Sequence, residues 1–248
     1  MKIQDTRTQV MQVRDLGISF GSHHVLNGFD FDLYEGENLV VLGKSGSGKS
    51  VLIKCIIGLL QPDAGDVTVF GDSILGMDHD ELDRMRAKVG FLFQSNALYD
   101  SMTVRENLEF PLRRHWIKAS KRTETELVME ALESVGLVET VDMMPSELSG
   151  GMRKRIALAR TLILKPKIIL YDEPTTGLDP ITGREISNLI LEIQEKYNTS
   201  SVIISHDMNC VKIAANRIAL LMDGTCQAIG TYDELRNSGN TNVSGFFD

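Results

Sequence analysis

The sequence predicts an α/β fold, and two observations carry the prediction. Leu39-Val40-Val41-Leu42, Ile168-Ile169-Leu170-Tyr171 and Ser201-Val202-Ile203-Ile204-Ser205 are short apolar runs rich in β-branched residues. They read as strands buried on both faces, which is the signature of a parallel sheet covered by helices. Each run leads straight into glycine, carboxylate or histidine, so polar chemistry gathers at the carboxyl ends of the strands, where open α/β sheets bind ligands.

Composition sets the outer limits. The 248 residues are 42% hydrophobic and 24% charged, an ordinary globular balance with room for a substantial core. A formal net charge of −8 argues against a nucleic-acid partner, so the basic run Arg153-Lys154-Arg155 is expected to be a solvated helix face. Cys55, Cys210 and Cys226 have no Cys-x-x-Cys spacing and are too few for a disulfide framework, which fits core fillers in a reducing cytoplasm. No apolar run approaches the ~20 residues needed to span a bilayer, so a membrane role would come through a partner.

From the amino terminus, Leu16, Ile18 and Phe20 alternate with other residues, as do Phe29, Phe31 and Leu33, and both stretches read as half-buried antiparallel strands. Phe20, at a strand end before Gly21, either packs in the core or stands free for another use. The run at 39–42 enters Gly43-Lys44-Ser45-Gly46-Ser47-Gly48-Lys49-Ser50, followed by a helical pattern over 51–60. This is a Walker A phosphate loop in its strand-loop-helix setting. Its glycines let backbone N–H groups curl around phosphates, Lys49 reaches the β- and γ-phosphates, and Ser50 offers its hydroxyl to Mg²⁺. Val51 replaces a hydroxyl residue that many such loops carry, leaving the α-phosphate to backbone contacts.

Further on, Asp78-x-x-Glu81 is a capping box for a charged helix ending near Lys88, and residues 89–93 form a strand ending at Gln94. Gln94 is either a surface residue or a ligand for Mg²⁺ or the attacking water. Residues 95–160 turn helical, with capping boxes at Thr103-x-x-Glu106 and Thr123-x-x-Glu126 and a stop at Gly136. Ala97, Leu98, Tyr99, Met102, Leu108, Phe110, Pro111, Leu112 and Trp116 supply more apolar surface than a solvated insert needs. They either pack within it or form a socket for a membrane partner.

Ser149-Gly150-Gly151 opens a helix predicted over 152–164 and forms a second anion-attracting helix start. Asp172 and Glu173 end the strand at 168–171, and His206 follows the strand at 201–205, either as a structural residue or as a donor to a γ-phosphate. A helix over 187–197, a hairpin at Asp223-Gly224, a capping box at Thr231-x-x-Glu234 and a polar tail over 236–248 complete the chain.

The phosphate loop at 43–50, Gln94, Leu148-Ser149-Gly150-Gly151-Met152, the strand end at 168–173, Gly177-Leu178-Asp179 and His206 together resemble the ATP-binding subunits of ABC transporters over essentially the whole chain. The resemblance implies a single P-loop NTPase (RecA-like) domain, with an antiparallel β part and a helical signature subdomain. Residues 1–94 and 165–235 would form the core, 95–164 the helical subdomain and 236–248 a tail. It further implies that Phe20 stacks on adenine and Asp172 holds Mg²⁺ through its water shell. Glu173 would be the general base, Asp179 would lie across a subunit contact, and His206 would touch the γ-phosphate.

Gly48-Lys49-Ser50-Val51-Leu52, Phe93-Gln94-Ser95 with Ala97 through Val104, Glu106-Asn107, Phe110-Pro111-Leu112 and methionine at 152 resemble the branch that energises lipid trafficking with MCE-type proteins, such as the maintenance-of-lipid-asymmetry (Mla) system. The expected assembly is a two-fold, head-to-tail homodimer in which each ATP, with Mg²⁺, meets the 43–50 loop of one copy and the 149 helix start of the other. An integral permease and an MCE-type lipid-binding protein complete it, with the ATPase peripheral on the cytoplasmic face of the inner membrane. Two other readings stand beside this one: the ATPase of an amino-acid-type importer, and a non-transport regulator of cell-wall enzymes at division.

Overall fold

The computed structural model describes residues 7–114 and 121–247, and two sheets organise them. Strands β1 (Gln9–Phe20) and β2 (His23–Tyr34) pair antiparallel, and β1 also pairs with β4 (Ala64–Val69), which carries the short β5 (Asp72–Ser73), giving the order β2-β1-β4-β5. The second sheet holds β3 (Asn38–Leu42), β6 (Val89–Leu92), β7 (Ile168–Asp172), β8 (Ser200–Ser205), β9 (Arg217–Met222) and β10 (Thr225–Gly230) in the order β10-β9-β3-β8-β7-β6. All its pairings are parallel except β9 with β10.

Side-chain alternation along these strands fills two cores. Leu39, Val41, Ile168, Leu170, Val202 and Ile204 face the antiparallel sheet together with Leu52 and Ile53 of α1 (Lys49–Ile56) and Met85 of α2 (His79–Lys88). Val40, Leu42, Ile169, Tyr171 and Ile203 face the opposite layer. That layer comprises α3 (Val104–Arg114), α4 (Lys121–Glu133), α5 (Gly150–Leu162), α6 (Pro180–Tyr197), α7 (Met208–Ala214), α8 (Tyr232–Arg236) and α9 (Thr241–Ser244). Burial of each such aliphatic side chain stabilises the fold by roughly 1.5–3 kcal/mol. Phe29, Phe31 and Leu33 are buried as their alternation requires, Cys55 and Cys210 are buried, and Cys226 is half-buried, with burial pushing each thiol up to about 11.

Local signals hold in most places. Asp78 and Glu81 form a reciprocal capping box, Thr231 and Glu234 another, and Thr103 and Glu106 exchange the same pair of bonds. Asp223 and Gly224 both take positive φ, 49° and 75°, as a two-residue hairpin between β9 and β10 demands.

Five expectations need correction. The helix expected over 51–60 ends at Ile56, because Gly58 turns left-handed with φ 70°. Helix α5 begins two residues before Met152, since Ser149 rather than a later residue caps it. Helix α6 begins at Pro180, since Asp179 caps it and proline suits its first turn. Thr123 lies inside α4 rather than ahead of its first turn. Lys154 is only 1% exposed, so the basic run is not a solvated face. His115 and Trp116 lie outside the described residues.

Candidate functional site

At the carboxyl end of β3 the chain turns through residues 43–48 into α1. Gly48 has φ 100°, and a Cβ there would lie 2.8 Å from Val25 Cγ1 and 3.0 Å from the Val25 carbonyl oxygen, so only glycine fits. Among the described residues, the main-chain N–H groups of Gly46, Gly48, Lys49 and Ser50 donate to no backbone carbonyl. A helix start with unspent donors and no side-chain cap is an anion site. Lys49, 5% exposed, donates to the carbonyls of Gly43 (2.8 Å) and Lys44 (3.0 Å), and its ammonium lies 3.7 Å from Glu173 Oε1. Lys44 and Ser45 are exposed beside it, and the Ser47 hydroxyl is buried without a partner.

The neighbouring strands bring carboxylates to the same edge. Ser50 Oγ donates to Asp172 Oδ1 at 3.2 Å, joining the loop to the end of β7. Burial pushes the Asp172 carboxyl up, opposed by the Ser50 bond. Glu173, next in the chain, is 8% exposed and holds φ 50°, a left-handed conformation that costs a non-glycine residue roughly 1–3 kcal/mol. Its N–H donates to Ile204 O (3.0 Å), its Oε2 accepts from Thr176 Oγ1 (3.2 Å) and lies 2.8 Å from His206 Nδ1 just beyond β8. Lys49, Ser50, Asp172, Glu173 and His206 are thus one linked cluster.

Gln94 lies two residues past β6 and is exposed, while its carbonyl accepts from the buried ammonium of Lys154 (3.0 Å). Burial lowers that ammonium to about 8, and the nearby Asp172 charge works against the shift. Arg160, on the same helix, donates to the carbonyls of Ala97 (2.7 Å) and Asn96 (3.0 Å), so α5 holds the loop after Gln94 at three points. Sequence reasoning missed both residues, because a basic residue on a helix carries no mark of the strand end or loop it packs beneath.

The remaining predicted residues divide in two. Phe20 is 51% exposed at the end of β1, which rules out the core-packing alternative. Val51 is half-buried on α1. Ser149 caps α5 by accepting from Met152 N (3.2 Å), and Gly151 approaches α6 so closely that a Cβ would lie 2.6 Å from Thr182 Cγ2. Asp179 accepts from Ile181 N, Thr182 N and Thr182 Oγ1, bonds that hold its carboxyl below the usual range. Two cavities of about 530 and 490 Å³ flank Lys44, yet neither is lined by Ser149, Gly150, Gly151 or Asp179. A larger concavity, about 1080 Å³ along α2, shares no residue with the cluster.

For a metal, no group of three or more His, Cys, Asp or Glu stands together among the described residues. The oxygens of Ser50 and Asp172 instead fit Mg²⁺, which binds through one or two carboxylates plus substrate phosphates and water.

The ABC transporter family pattern matches residues 26–176. The chain belongs to that family. As an ABC transporter ATP-binding domain it binds and hydrolyses ATP. It is 38% identical to the probable ribonucleotide transport ATP-binding protein mkl of Mycobacterium leprae, over 96% of this chain and 68% of that protein. Identity is 35% to the intermembrane phospholipid transport system ATP-binding protein MlaF of Haemophilus influenzae, over 96% of this chain and 89% of that one. To the methionine import ATP-binding protein MetN of Clostridium tetani it is 36%, over 92% and 70%. Among solved structures, the dimeric ABC transporter cassette MJ0796 superposes with a TM-score of 0.81 at 31% identity, over 89% of this chain and 98% of that one. The same cassette in a post-hydrolysis dimer with ADP and Pi gives 0.81 at 32% identity, with the same coverage. No described helix is long and apolar enough to cross a membrane.

Proposed function

We propose that this ABC ATPase powers lipid transport across a cell envelope, as a homodimer beneath an integral permease that works with an MCE-type lipid-binding protein. The observation carrying the lipid reading is the similarity to MlaF along nearly the full length of both chains. MetN is as similar over less of its own length, so amino-acid import is the competing reading. Residues 1–94 and 165–235 act as the core, 95–164 as the helical subdomain, and the whole sits on the cytoplasmic face of the inner membrane.

In the reaction, Lys49 leaves the Gly43 and Lys44 carbonyls for the β- and γ-phosphates, while the backbone of residues 43–51 wraps the phosphate chain and Phe20 stacks on adenine. Ser50, Gln94 and Asp172 would hold Mg²⁺, which when bound would supply positive charge to the phosphate chain. Glu173 takes the proton of the attacking water, and His206 turns from Glu173 to the γ-phosphate. Ser149, Gly150 and Gly151 of the second copy supply another helix start to the same phosphates, and Asp179 lies at that contact. Support for the carboxylate's role comes from the cluster itself: Lys49 and His206 both face Glu173, so arriving phosphate would free the base as it recruits the two cationic donors.

A groove of about 280 Å³ lined by Phe91, Phe93, Tyr99, Phe110, Pro111 and Arg160 supports a permease docking site beside Gln94. Affinity capture of the tagged chain from solubilised native membranes tests the assembly. Recovery of a multi-helix permease with an MCE-domain protein supports the lipid reading, and a permease with a soluble amino-acid-binding protein overturns it.

A further inference from the structure

The polar segment after Arg236 has no part in the reaction as written, yet it is firmly placed. Asn240 caps α9, Val243 is 2% exposed, and Phe247 is 7% exposed with its ring edge-on to Tyr232 at 5.2 Å. With Phe247 and Val243 fixed in the helical-side core, the half-buried Phe246 is held at the phosphate loop. Its ring centroid lies 5.9 Å from the Lys44 ammonium, within reach of a cation–π contact. Phe246 also lines both cavities that flank Lys44, the one containing His23, Ser47 and Gly224 and the one containing His206 and Asn242.

We propose that Phe246 is a positioning residue of the nucleotide site, acting through Lys44. Lys44 is exposed, so its long side chain has many rotamers to lose when it meets a phosphate, and the ring restricts them beforehand. The carbonyl of Lys44 is one of the two that hold Lys49, so the contact also braces the start of the loop. The ring lines both cavities beside Lys44, and ATP affinity therefore depends on a segment about two hundred residues further along the chain. This rests on the reading that the phosphate chain of ATP occupies the loop at 43–50.

The test is ATP affinity by titration calorimetry, with kcat at saturating ATP measured alongside. Phe246→Ala should weaken binding by about threefold to tenfold at unchanged kcat, Phe246→Leu should behave like alanine, and Phe246→Tyr should restore affinity. In a Lys44→Ala background, Phe246→Ala should have no further effect. Unchanged affinity in Phe246→Ala, wild-type affinity in Phe246→Leu, or independent addition of the Lys44 and Phe246 effects would each overturn the proposal. If the alanine variant fails to fold, the leucine and tyrosine variants carry the test. Lys49→Ala separates the two levels: normal ATP binding there defeats the loop reading itself, whereas loss there with normal Phe246→Ala defeats only the role of Phe246.

Discussion

At the scale of single residues, Glu173 is a position where the fold accepts strain. Its φ of 50° turns the chain sharply after β7, and the side chain is gripped by Lys49, Thr176 and His206. Glu173→Gln keeps the shape and removes the proposed base. Hydrolysis should fall by roughly 10²–10⁴ with ATP affinity retained, read from phosphate release and equilibrium binding. Phe20 offers adenine a ring face and no described hydrogen-bonding edge, so GTP should also be a substrate, and Phe20→Ala should weaken both nucleotides by ~1–3 kcal/mol. Lys154 makes a different prediction. A solvated lysine would tolerate alanine within about 0.5 kcal/mol, whereas truncating this buried one strands the Gln94 carbonyl and leaves a void, lowering unfolding stability by about 2–3 kcal/mol in a denaturant titration. The phosphate loop, both carboxylates and His206 were legible in the sequence because strand ends and glycine spacing mark them. Lys154, Arg160 and Phe246 were not, because their partners come from segments distant in sequence and leave no local pattern.

Among the elements, α5 is the link between the 149 helix start and the loop after Gln94. Lys154 and Arg160 hold the carbonyls of Gln94, Asn96 and Ala97, and Asn96 and Ala97 both sit left-handed, at φ 65° and 51°. Two adjacent non-glycine residues in that region cost roughly 1–2 kcal/mol each, and the bonds from α5 offset that cost and hold the loop in place. The apolar surface described next to it is smaller than the composition of residues 96–114 implies. Val104, Leu108 and Leu112 turn inward and Leu98 packs against the helical-side core, while Phe93 and Tyr99 remain 38% and 43% exposed, Tyr99 tilted against Phe110 with ring centroids 4.8 Å apart. A charge at Leu98 should therefore damage the fold. Tyr99→Asp should leave melting temperature and isolated ATPase activity intact and reduce recovery of the permease in membrane pull-downs. Helix starts were largely readable from their caps. The start of α6 was not, because Asp179 drew attention as a contact residue when its carboxylate also caps the helix.

For the whole molecule, two cores share one sheet, and the strand order β10-β9-β3-β8-β7-β6 brings the ends of β3, β6, β7 and β8 to one edge. The short continuous apolar runs announced a parallel sheet but not this order, which depends on crossovers that local patterns do not encode. The helix starts at α1 and α5, both proposed to meet phosphate, do not meet in either cavity beside Lys44 among the described residues. That separation is the physical case for a head-to-tail dimer in which each ATP is held by two copies. The most direct measurement is the solution mass of Glu173→Gln by light scattering, with and without MgATP. The account predicts the mass of two chains with MgATP and of one without, and Ser149→Arg in the same background should return the MgATP sample to one. A dimer that survives Ser149→Arg, or ATP hydrolysis by strictly monomeric wild-type protein, would contradict it.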